Sequence, residues 1–346
     1  MSIGIIEMDL AQGVLAGNRL ALARTLSHVE NGTSEGKLAL DILFAHTGKA
    51  HLVGITGASG TGKSSLVNQL ARHVRQPAQE LTPRRVAVVA VDPTSPFTGG
   101  AILGDRIRMR DLAGDPGVFI RSMATRGSLG GIASATAAVV QVLDAAGFEM
   151  ILIETVGAGQ SEVDIARLAH TTIVVEAPGL GDDIQAIKAG ILEIADVLVV
   201  NKADLPGVEN TERALRGSLD LAHPTPHRFI HHGKLETITG VSDISETAET
   251  TWVPPILRTV AIEGKGIAEL VDVIAAHRAH LEVSGGWQQR ERWRLQTELD
   301  ILLQNRLMDG FYSKLAVGAL EQALEAVQER KISPFQAVEK LISSIG

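Results

Sequence analysis

Eight residues in the first quarter of the chain have the types and the spacing of a phosphate-binding loop. They follow the pattern G-x-x-x-x-G-K-[ST] and are Gly57, Ala58, Ser59, Gly60, Thr61, Gly62, Lys63 and Ser64. The glycines let successive backbone N–H groups turn toward one anion, the ammonium of Lys63 reaches the β- and γ-phosphates, and the Ser64 hydroxyl ligates Mg²⁺. Together with Ser65, these residues predict a site for a nucleoside triphosphate and Mg²⁺.

The segments on either side of the loop have the patterns of a buried strand and an amphipathic helix. An apolar run at 52–55 precedes the loop, and Leu66, Leu70 and Val74 recur behind it at helical spacing. A helix that begins at the end of the loop adds its dipole to the attraction for an anion. A glycine-rich turn that matches by chance would lack this flanking pattern.

A second motif predicts which base is bound. Asn201, Lys202 and Asp204 form an N-K-x-D pattern directly after the apolar run 197–200. The Asp204 carboxylate can accept hydrogen bonds from N1–H and the exocyclic amine of guanine, whereas adenine has no donor at these positions and would leave the carboxylate unpaired. Asn201 can bond the other edge of the base, and the stem of Lys202 can cover its face. The motif therefore predicts GTP.

Acidic residues at strand ends are candidates for the metal site and for a nucleotide-dependent switch. Glu154 ends the apolar run 151–153, at a position where most GTPases have Asp, and the Gly157 N–H that follows can sense the γ-phosphate. Asp92 ends the run 86–91. For Glu154 the alternative is a strand that ends in a solvated acid.

Two further residues and one further loop are candidates. Asp105 lies in the Gly- and Pro-rich segment 92–131, which is longer than ordinary connections and therefore predicts a functional loop. Gln160 is the candidate for orienting the attacking water, by its side-chain chemistry. The loop that runs from Pro178 to Lys188 fits either a helix N-cap or a mobile element.

Composition excludes several classes of function. The chain has 346 residues, a net charge of -8 and no cysteine. Disulfides, thiolate metal sites and Cys nucleophiles are therefore excluded. The net charge is unfavourable for a broad nucleic-acid surface, and no apolar run approaches the roughly 20 residues of a membrane span. Without a recognisable targeting segment, the expectation is a cytoplasmic protein with no nucleic-acid or membrane partner.

The pattern of apolar runs and helical segments predicts an α/β fold with a mainly parallel sheet flanked by helices. We expect a helical N-terminal extension at 1–50, a P-loop domain at 51–283 and a helical C-terminal arm at 284–346. The strands are predicted at 52–55, 86–91, 150–153, 172–175, 197–200 and 256–262. The arm carries apolar stripes that either pack on the chain's own core or form a homodimer interface.

Taken together, the motifs resemble the MeaB/ArgK family of GTPases, chaperones of cobalamin-dependent acyl-CoA mutases. The resemblance covers about residues 1–330 and includes four segments besides the two motifs above: 91–95, 99–105, 154–162 and 178–182. It implies a homodimer joined by its C-terminal helices. It also implies GTP hydrolysis to GDP, stimulated by the mutase, that gates cobalamin loading and protects or reactivates the mutase.

The resemblance also assigns residues. It places Mg²⁺ near Ser64, Asp92, Asp105 and Glu154, and it implies a switch from Asp182 to Lys188 that responds to the mutase. Two departures stand out. The loop interior, 58–61, differs from the Val-Pro-Gly-Val-like filling that is common in relatives. The segment expected to contact guanine O6 reads Thr259, Val260 and Ala261, so this contact would come from backbone N–H groups.

Two other functions fit the P-loop. A nickel-insertion GTPase would need imidazole ligands, and His227, His231 and His232 form the only local histidine cluster in the sequence. A small-molecule kinase would need an acceptor pocket with a positioned base, which the sequence does not reveal. Transfer of the phosphoryl group to a metabolite would favour the kinase.

Overall fold

The fold is described from a computed structural model of the chain. It describes residues 10–76, 82–93, 114–125, 131–155, 167–179, 193–222, 228–231, 234–237 and 252–345, with Met109, Leu112 and Ile165. The chain divides into two compact units, Met1–Arg294 and Leu295–Gly346. In the described part of the chain, no helix combines the length and the apolar character needed to cross a membrane.

The first unit is built on a parallel sheet of seven strands in the order β3-β2-β4-β1-β5-β6-β9. The predicted α/β fold with a parallel sheet is therefore confirmed. Its strands are β1 (His51–Thr56), β2 (Val86–Pro93), β3 (Val118–Thr125), β4 (Met150–Thr155), β5 (Thr171–Glu176), β6 (Val197–Val200) and β9 (Ile256–Arg258). An antiparallel hairpin, β7 (Arg228–His231) with β8 (Lys234–Thr237), forms a separate sheet.

The helices cover both faces of the sheet. In the first unit they include α1 (Arg19–Glu30), α2 (Ser34–Leu43), α3 (Lys63–Arg75), α4 (Gly131–Ala145), α5 (Val208–Ala222) and α6 (Ile267–Ser284). Because successive side chains of a strand point to opposite faces, Leu52 of β1 packs with Leu26 of α1, while Val53 packs with Leu66 of α3 and Ile274 of α6. Continuous apolar strands are thus buried on both sides.

The observed elements differ from the predicted ones at several places. The segment 92–131, predicted as a loop, contains β3, whose polar Arg121 reaches Glu30 of α1 and so interrupts the apolar run without leaving the sheet. The strand predicted at 256–262 ends at Arg258, and a 3₁₀ turn follows at Ala261–Glu263. Within the polar segment 233–252, predicted as a surface excursion, β8 forms half of the hairpin.

The second unit contains most of α7 (Gly286–Tyr312), together with α8 (Ala319–Gln328) and α9 (Pro334–Ser343). The start of α9 is as predicted, because Ser333 and Gln336 form a capping box and Pro334 takes the first turn. The apolar stripes of this unit are exposed in the single chain. Their exposed side chains include Leu299, Leu302, Leu303, Leu307, Leu320, Leu324, Phe335, Val338 and Ile342.

Candidate nucleotide-binding site

The loop between β1 and α3 has a backbone that requires glycine. Gly57, Gly60 and Gly62 have φ angles of 137°, 85° and 93°. A Cβ on Gly57 would lie 2.1 Å from the carbonyl oxygen of Val175, and a Cβ on Gly62 would lie 2.5 Å from Nδ2 of Asn201. The motif glycines therefore allow both the left-handed turns and the close approach of neighbouring strands.

Lys63 curls back over this loop. Its side chain is 5% exposed. Its Nζ donates hydrogen bonds of 2.8 Å to the carbonyl oxygens of Gly57 and Ala58. The first turn of α3 contains no acidic residue of its own, and the positive end of the helix dipole lies at the loop. The ammonium and the helix N-terminus together favour an anion at the loop.

Sheet pairing brings Glu154 to the loop. The register of β1 with β4 sets Ile55 beside Glu154, so the acid lies at the strand end from which the loop begins. The hydroxyl of Ser64 donates a 2.6 Å hydrogen bond to Oε1 of Glu154, and both side chains are buried. Two predicted metal ligands, from residues 90 positions apart, therefore meet in the structure.

For the other predicted acids and loop residues, the structure gives only the position of Asp92 in the sheet. Asp92 lies at the same edge of the sheet, because β2 pairs with β4 and its Val91 lies beside Thr155. Asp105, Gly157, Gln160 and Lys188 lie outside the described residues. Their predicted roles remain predictions.

Asn201 connects three segments of the site. It directly follows β6 and is 2% exposed. Its Nδ2 donates a 2.8 Å hydrogen bond to the carbonyl oxygen of Thr61 in the phosphate-binding loop. Its Oδ1 accepts hydrogen bonds from the Thr259 hydroxyl at 3.0 Å and from the Ala261 N–H at 3.1 Å. Asn201 thus joins the phosphate-binding loop to the segment after β9.

The other two residues of the N-K-x-D motif are less buried than Asn201, and Lys202 is the more buried of the two. Lys202 has a φ angle of 56°, a left-handed conformation that is uncommon for a non-glycine residue. Asp204 is exposed, as the reading of a bound base requires. Glu263 raises the pKa of Lys265 through a contact of 2.6 Å between Oε2 and Nζ, and the nearby Asp204 contributes in the same direction.

The segment predicted to contact guanine O6 has its N–H groups directed to protein acceptors. The N–H of Val260 donates to the carbonyl oxygen of Lys265 at 3.1 Å, and the N–H of Ala261 donates to Asn201. A contact between either group and O6 would require that group to share its hydrogen or to change partner. The predicted role of Val260 and Ala261 thus stays a prediction.

Sequence reasoning missed the part that Thr259 plays in this site. Its hydroxyl is buried against Asn201, and its backbone is fixed by hydrogen bonds with Val200 and Ala203. The signal was a polar residue directly after β9, at the start of the segment expected to contact the base. That signal is weak, because Asn201 and Thr259 are 58 residues apart in the chain.

Comparison with known proteins identifies the class of this site. The family model described as methylmalonyl-CoA mutase-associated GTPase MeaB matches residues 22–316. The chain belongs to the MeaB family. Both units of this MeaB-family chain contain matched residues, and the resemblance inferred from the motifs is confirmed.

Individual relatives match the chain over nearly its whole length. A candidate GTPase from Pyrococcus horikoshii is 42% identical over 337 residues, covering 97% of this chain and 98% of that protein. GTPase ArgK from Escherichia coli is 32% identical over 353 residues, covering 97% of each. The mitochondrial methylmalonic aciduria type A homolog from Caenorhabditis elegans is 28% identical over 349 residues, covering 96% of this chain and 81% of that protein.

A solved structure shares the fold of this MeaB-family protein. The crystal structure of a LAO/AO transport system kinase superposes with a TM-score of 0.64 at 23% identity, covering 97% of this chain and 96% of that chain. The fold is that of a P-loop GTPase. With the family match and the relatives named as GTPases, the chain is an enzyme that hydrolyses GTP.

Proposed function

We propose that this GTPase gates cobalamin loading of a cobalamin-dependent acyl-CoA mutase and protects or reactivates that mutase. The observation that carries the proposal is the match of residues 22–316 to a family described as methylmalonyl-CoA mutase-associated. The nematode relative, whose name refers to methylmalonic aciduria, supports the same class of partner. Methylmalonyl-CoA mutase is therefore the first client to test.

The site supports GTP as the nucleotide. In the proposed complex the phosphates occupy the loop before α3, and Lys63 exchanges the carbonyl oxygens of Gly57 and Ala58 for phosphate oxygens. The exposed Asp204 binds N1–H and the exocyclic amine of guanine. Asn201 joins the N-K-x-D motif to the phosphate-binding loop through its hydrogen bond to Thr61. Lys63 and backbone donors then neutralise charge on the phosphates.

The residues present fit a magnesium ion beside the phosphates. Ligand oxygens about 2.0–2.1 Å from an octahedral Mg²⁺ lie roughly 2.9 Å from each other when adjacent. The Ser64 hydroxyl and Oε1 of Glu154 are 2.6 Å apart, so a small displacement would make them adjacent ligands or would leave Glu154 bonded to a coordinated water. Asp92 and Asp105 are the remaining proposed acids. Bound there, Mg²⁺ would neutralise charge on the β- and γ-phosphates.

The second unit supports the proposed homodimer. Its helices expose apolar stripes, and side chains of all three helices, among them Leu307, Leu320 and Ile342, line an apolar groove of ≈ 620 Å³. Contiguous exposed apolar surface is a feature of interaction sites in soluble proteins. The proposed occupant is the same unit of a second copy, as the resemblance implies. Of the two possibilities for the apolar stripes, a homodimer interface or packing on the chain's own core, we therefore propose the homodimer interface.

The test is steady-state GTP hydrolysis by the purified protein, alone and with acyl-CoA mutases added one at a time. We expect a slow basal rate and a several-fold stimulation by one mutase. The matched control is Lys63→Ala, which should show neither basal nor stimulated turnover. Basal GTP hydrolysis that no mutase changes would reject the chaperone function and leave the GTPase.

The nickel and kinase alternatives receive no specific support. Among the described residues, no three or more His, Asp or Glu side chains are arranged to hold a metal ion. His231 pairs with Lys234 in the hairpin, and His227 and His232 lie outside the described residues. Two further measurements distinguish the nickel-insertion GTPase and the kinase from the proposed mutase chaperone. Stoichiometric Ni²⁺ or Zn²⁺ binding that is lost on replacing His231 and His232 would favour the nickel-insertion GTPase, and transfer of the γ-phosphoryl group to a metabolite would favour the kinase.

A further inference from the structure

A small cavity lies at the amino-terminal ends of β1 and β4. It is lined by His51 and Met150, the paired first residues of these strands, and has a volume of ≈ 110 Å³. A water molecule occupies about 30 Å³ of liquid, so the cavity has room for a ligand of roughly four to six non-hydrogen atoms. The phosphate-binding loop begins at the other end of β1, about 16 Å away at about 3.3 Å per residue. The cavity is therefore separate from the nucleotide site.

One face of α6 forms another wall of this cavity. Its lining residues recur three or four positions apart, the spacing of side chains that share a helix face. They are Val271, Ile274, Ala275, Arg278, Ala279 and Glu282. Four of these six are apolar, and Met150 adds a fifth apolar side chain from β4. Walls of this kind favour a hydrocarbon group, which is removed from water when it binds.

Two arginines and one glutamate supply the charge at the cavity. Arg278 is bound to other protein groups, because its Nε donates a 2.8 Å hydrogen bond to Oε1 of Glu282 and its guanidinium lies 5.1 Å from the centre of the Trp287 ring. Arg84 is half-buried, and its carbonyl oxygen accepts a 3.0 Å hydrogen bond from Arg75. In the part of the chain that the structure describes, the Arg84 guanidinium itself has no hydrogen bond or ion pair.

The lining therefore carries one uncompensated positive charge. Burial is the main cause of the lowered pKa of His51, and the charges of Arg278 and Arg84 contribute to it, so both guanidinium groups act on the cavity wall. The carboxylate of Glu282 compensates Arg278, with which it pairs. The charge of Arg84 remains, at the edge of a mainly apolar space.

We propose that this cavity binds a short-chain aliphatic carboxylate, for which butyrate is the probe. The forked N–H donors of Arg84 match the two oxygens of a carboxylate, and the hydrocarbon tail packs on Met150 and Ile274. A fully polar anion such as phosphate fits less well, because the apolar wall offers its oxygens no hydrogen-bond donor. The inference goes beyond the proposed function and does not depend on it.

The experiment is a ligand-observed NMR titration of the full chain with GDP and Mg²⁺ in excess, so that the nucleotide site is occupied. Acetate, propionate and butyrate should bind with Kd values that fall about fourfold per added methylene, the effect of about 0.8 kcal/mol for each buried CH₂. Butylamine, which has the tail of butyrate and the opposite charge, should not bind. Phosphate should not displace butyrate.

Two variants test the two parts of the cavity. Arg84→Gln should raise the Kd for butyrate at least about tenfold, the effect of a hydrogen bond to a charged group, whereas Arg213→Gln on the exposed face of α5 should not. Ala275→Leu fills the space of the tail and should abolish saturable binding, whereas the neighbouring exposed Ala276→Leu should not.

Several results would overturn the proposal, whatever the GTPase activity of the protein. They are a wild type that binds none of the three carboxylates, affinities that do not depend on chain length, and equal binding of butylamine or phosphate. Unchanged butyrate binding in either Arg84→Gln or Ala275→Leu would do the same. Because the two substitutions lie on different elements, one remains informative if the other protein does not fold.

Discussion

The buried imidazole of His51 should make the fold sensitive to mild acid. His51 begins β1, is 1% exposed, and shares a 2.8 Å hydrogen bond between its Nε2 and the Thr171 hydroxyl. Burial, together with the positive charges of His170, when protonated, and of Arg278, lowers its pKa from 6.5 to about 2. His51 is therefore neutral in the folded protein between pH 5 and pH 7.

The size of the effect follows from proton linkage. Below pH 6.5 the unfolded chain binds a proton at His51 and the folded chain does not. The contribution of His51 to the free energy of unfolding is therefore fully present above pH 6.5 and is lost as the pH falls toward 2. Between pH 7 and pH 5 the loss is about 2 kcal/mol at about 1.36 kcal/mol per unit. His170, whose pKa is also lowered by burial, contributes in the same direction. The depressed pKa values of Asp196 and Glu291, both about 2, matter only at lower pH.

Urea unfolding at pH 7 and pH 5 measures this loss. His51→Gln keeps an amide near the position of Nε2 and cannot be protonated. The decrease in its free energy of unfolding between pH 7 and pH 5 should therefore be about 2 kcal/mol smaller than that of the wild type. The exposed His46 provides the matched control, because His46→Gln should leave the wild-type loss unchanged. An equal loss in the wild type and in His51→Gln would refute the reasoning.

Further predictions concern the nucleotide site and the second unit. Lys63→Ala should abolish GTP turnover in a phosphate-release assay. Asp204→Asn should shift the preference from GTP toward XTP by at least about tenfold in kcat/KM, because the base contact exchanges acceptor for donor. Glu154→Asp should raise the Mg²⁺ concentration for half-maximal hydrolysis, because a shorter side chain retreats from Ser64. Deleting 295–346 should give a monomer in light scattering, and a soluble dimer would contradict it.

The sequence was sufficient for the parts of the site that are local. The glycine spacing of 57–62 predicted a backbone that the structure shows with three left-handed glycines. The apolar run before Glu154 placed that acid at a strand end. Its contact with Ser64 then depended only on two parallel strands being neighbours, which the α/β pattern favours.

The contacts that the sequence could not predict join polar residues from distant segments. Arg121 interrupts an apolar run, and its partner Glu30 lies 91 residues earlier, so β3 was missed. His51, Thr171 and His277 form a buried hydrogen-bonded chain across two strands and α6. Each of these residues alone resembles an ordinary surface residue, because the pairing that satisfies it exists only in the folded chain.

The strand β6 shows why such polar contacts matter for the site. Its four residues are apolar and buried on both faces, so a slip of one residue would expose no hydrophobic side chain and the apolar pattern alone does not specify its register. The polar residues at its two ends supply that information. Asp196 accepts two hydrogen bonds from Arg290 and one from the N–H of Thr172.

At the other end of β6, Asn201 bonds Thr61 and Thr259. A slipped strand would leave a buried carboxylate and a buried amide without these partners, which costs more than the apolar contacts could recover. Register is therefore fixed from both ends, and the same constraint that aligns β6 sets Asn201 against the phosphate-binding loop. The position of the N-K-x-D motif therefore depends on the hydrogen bonds at both ends of β6.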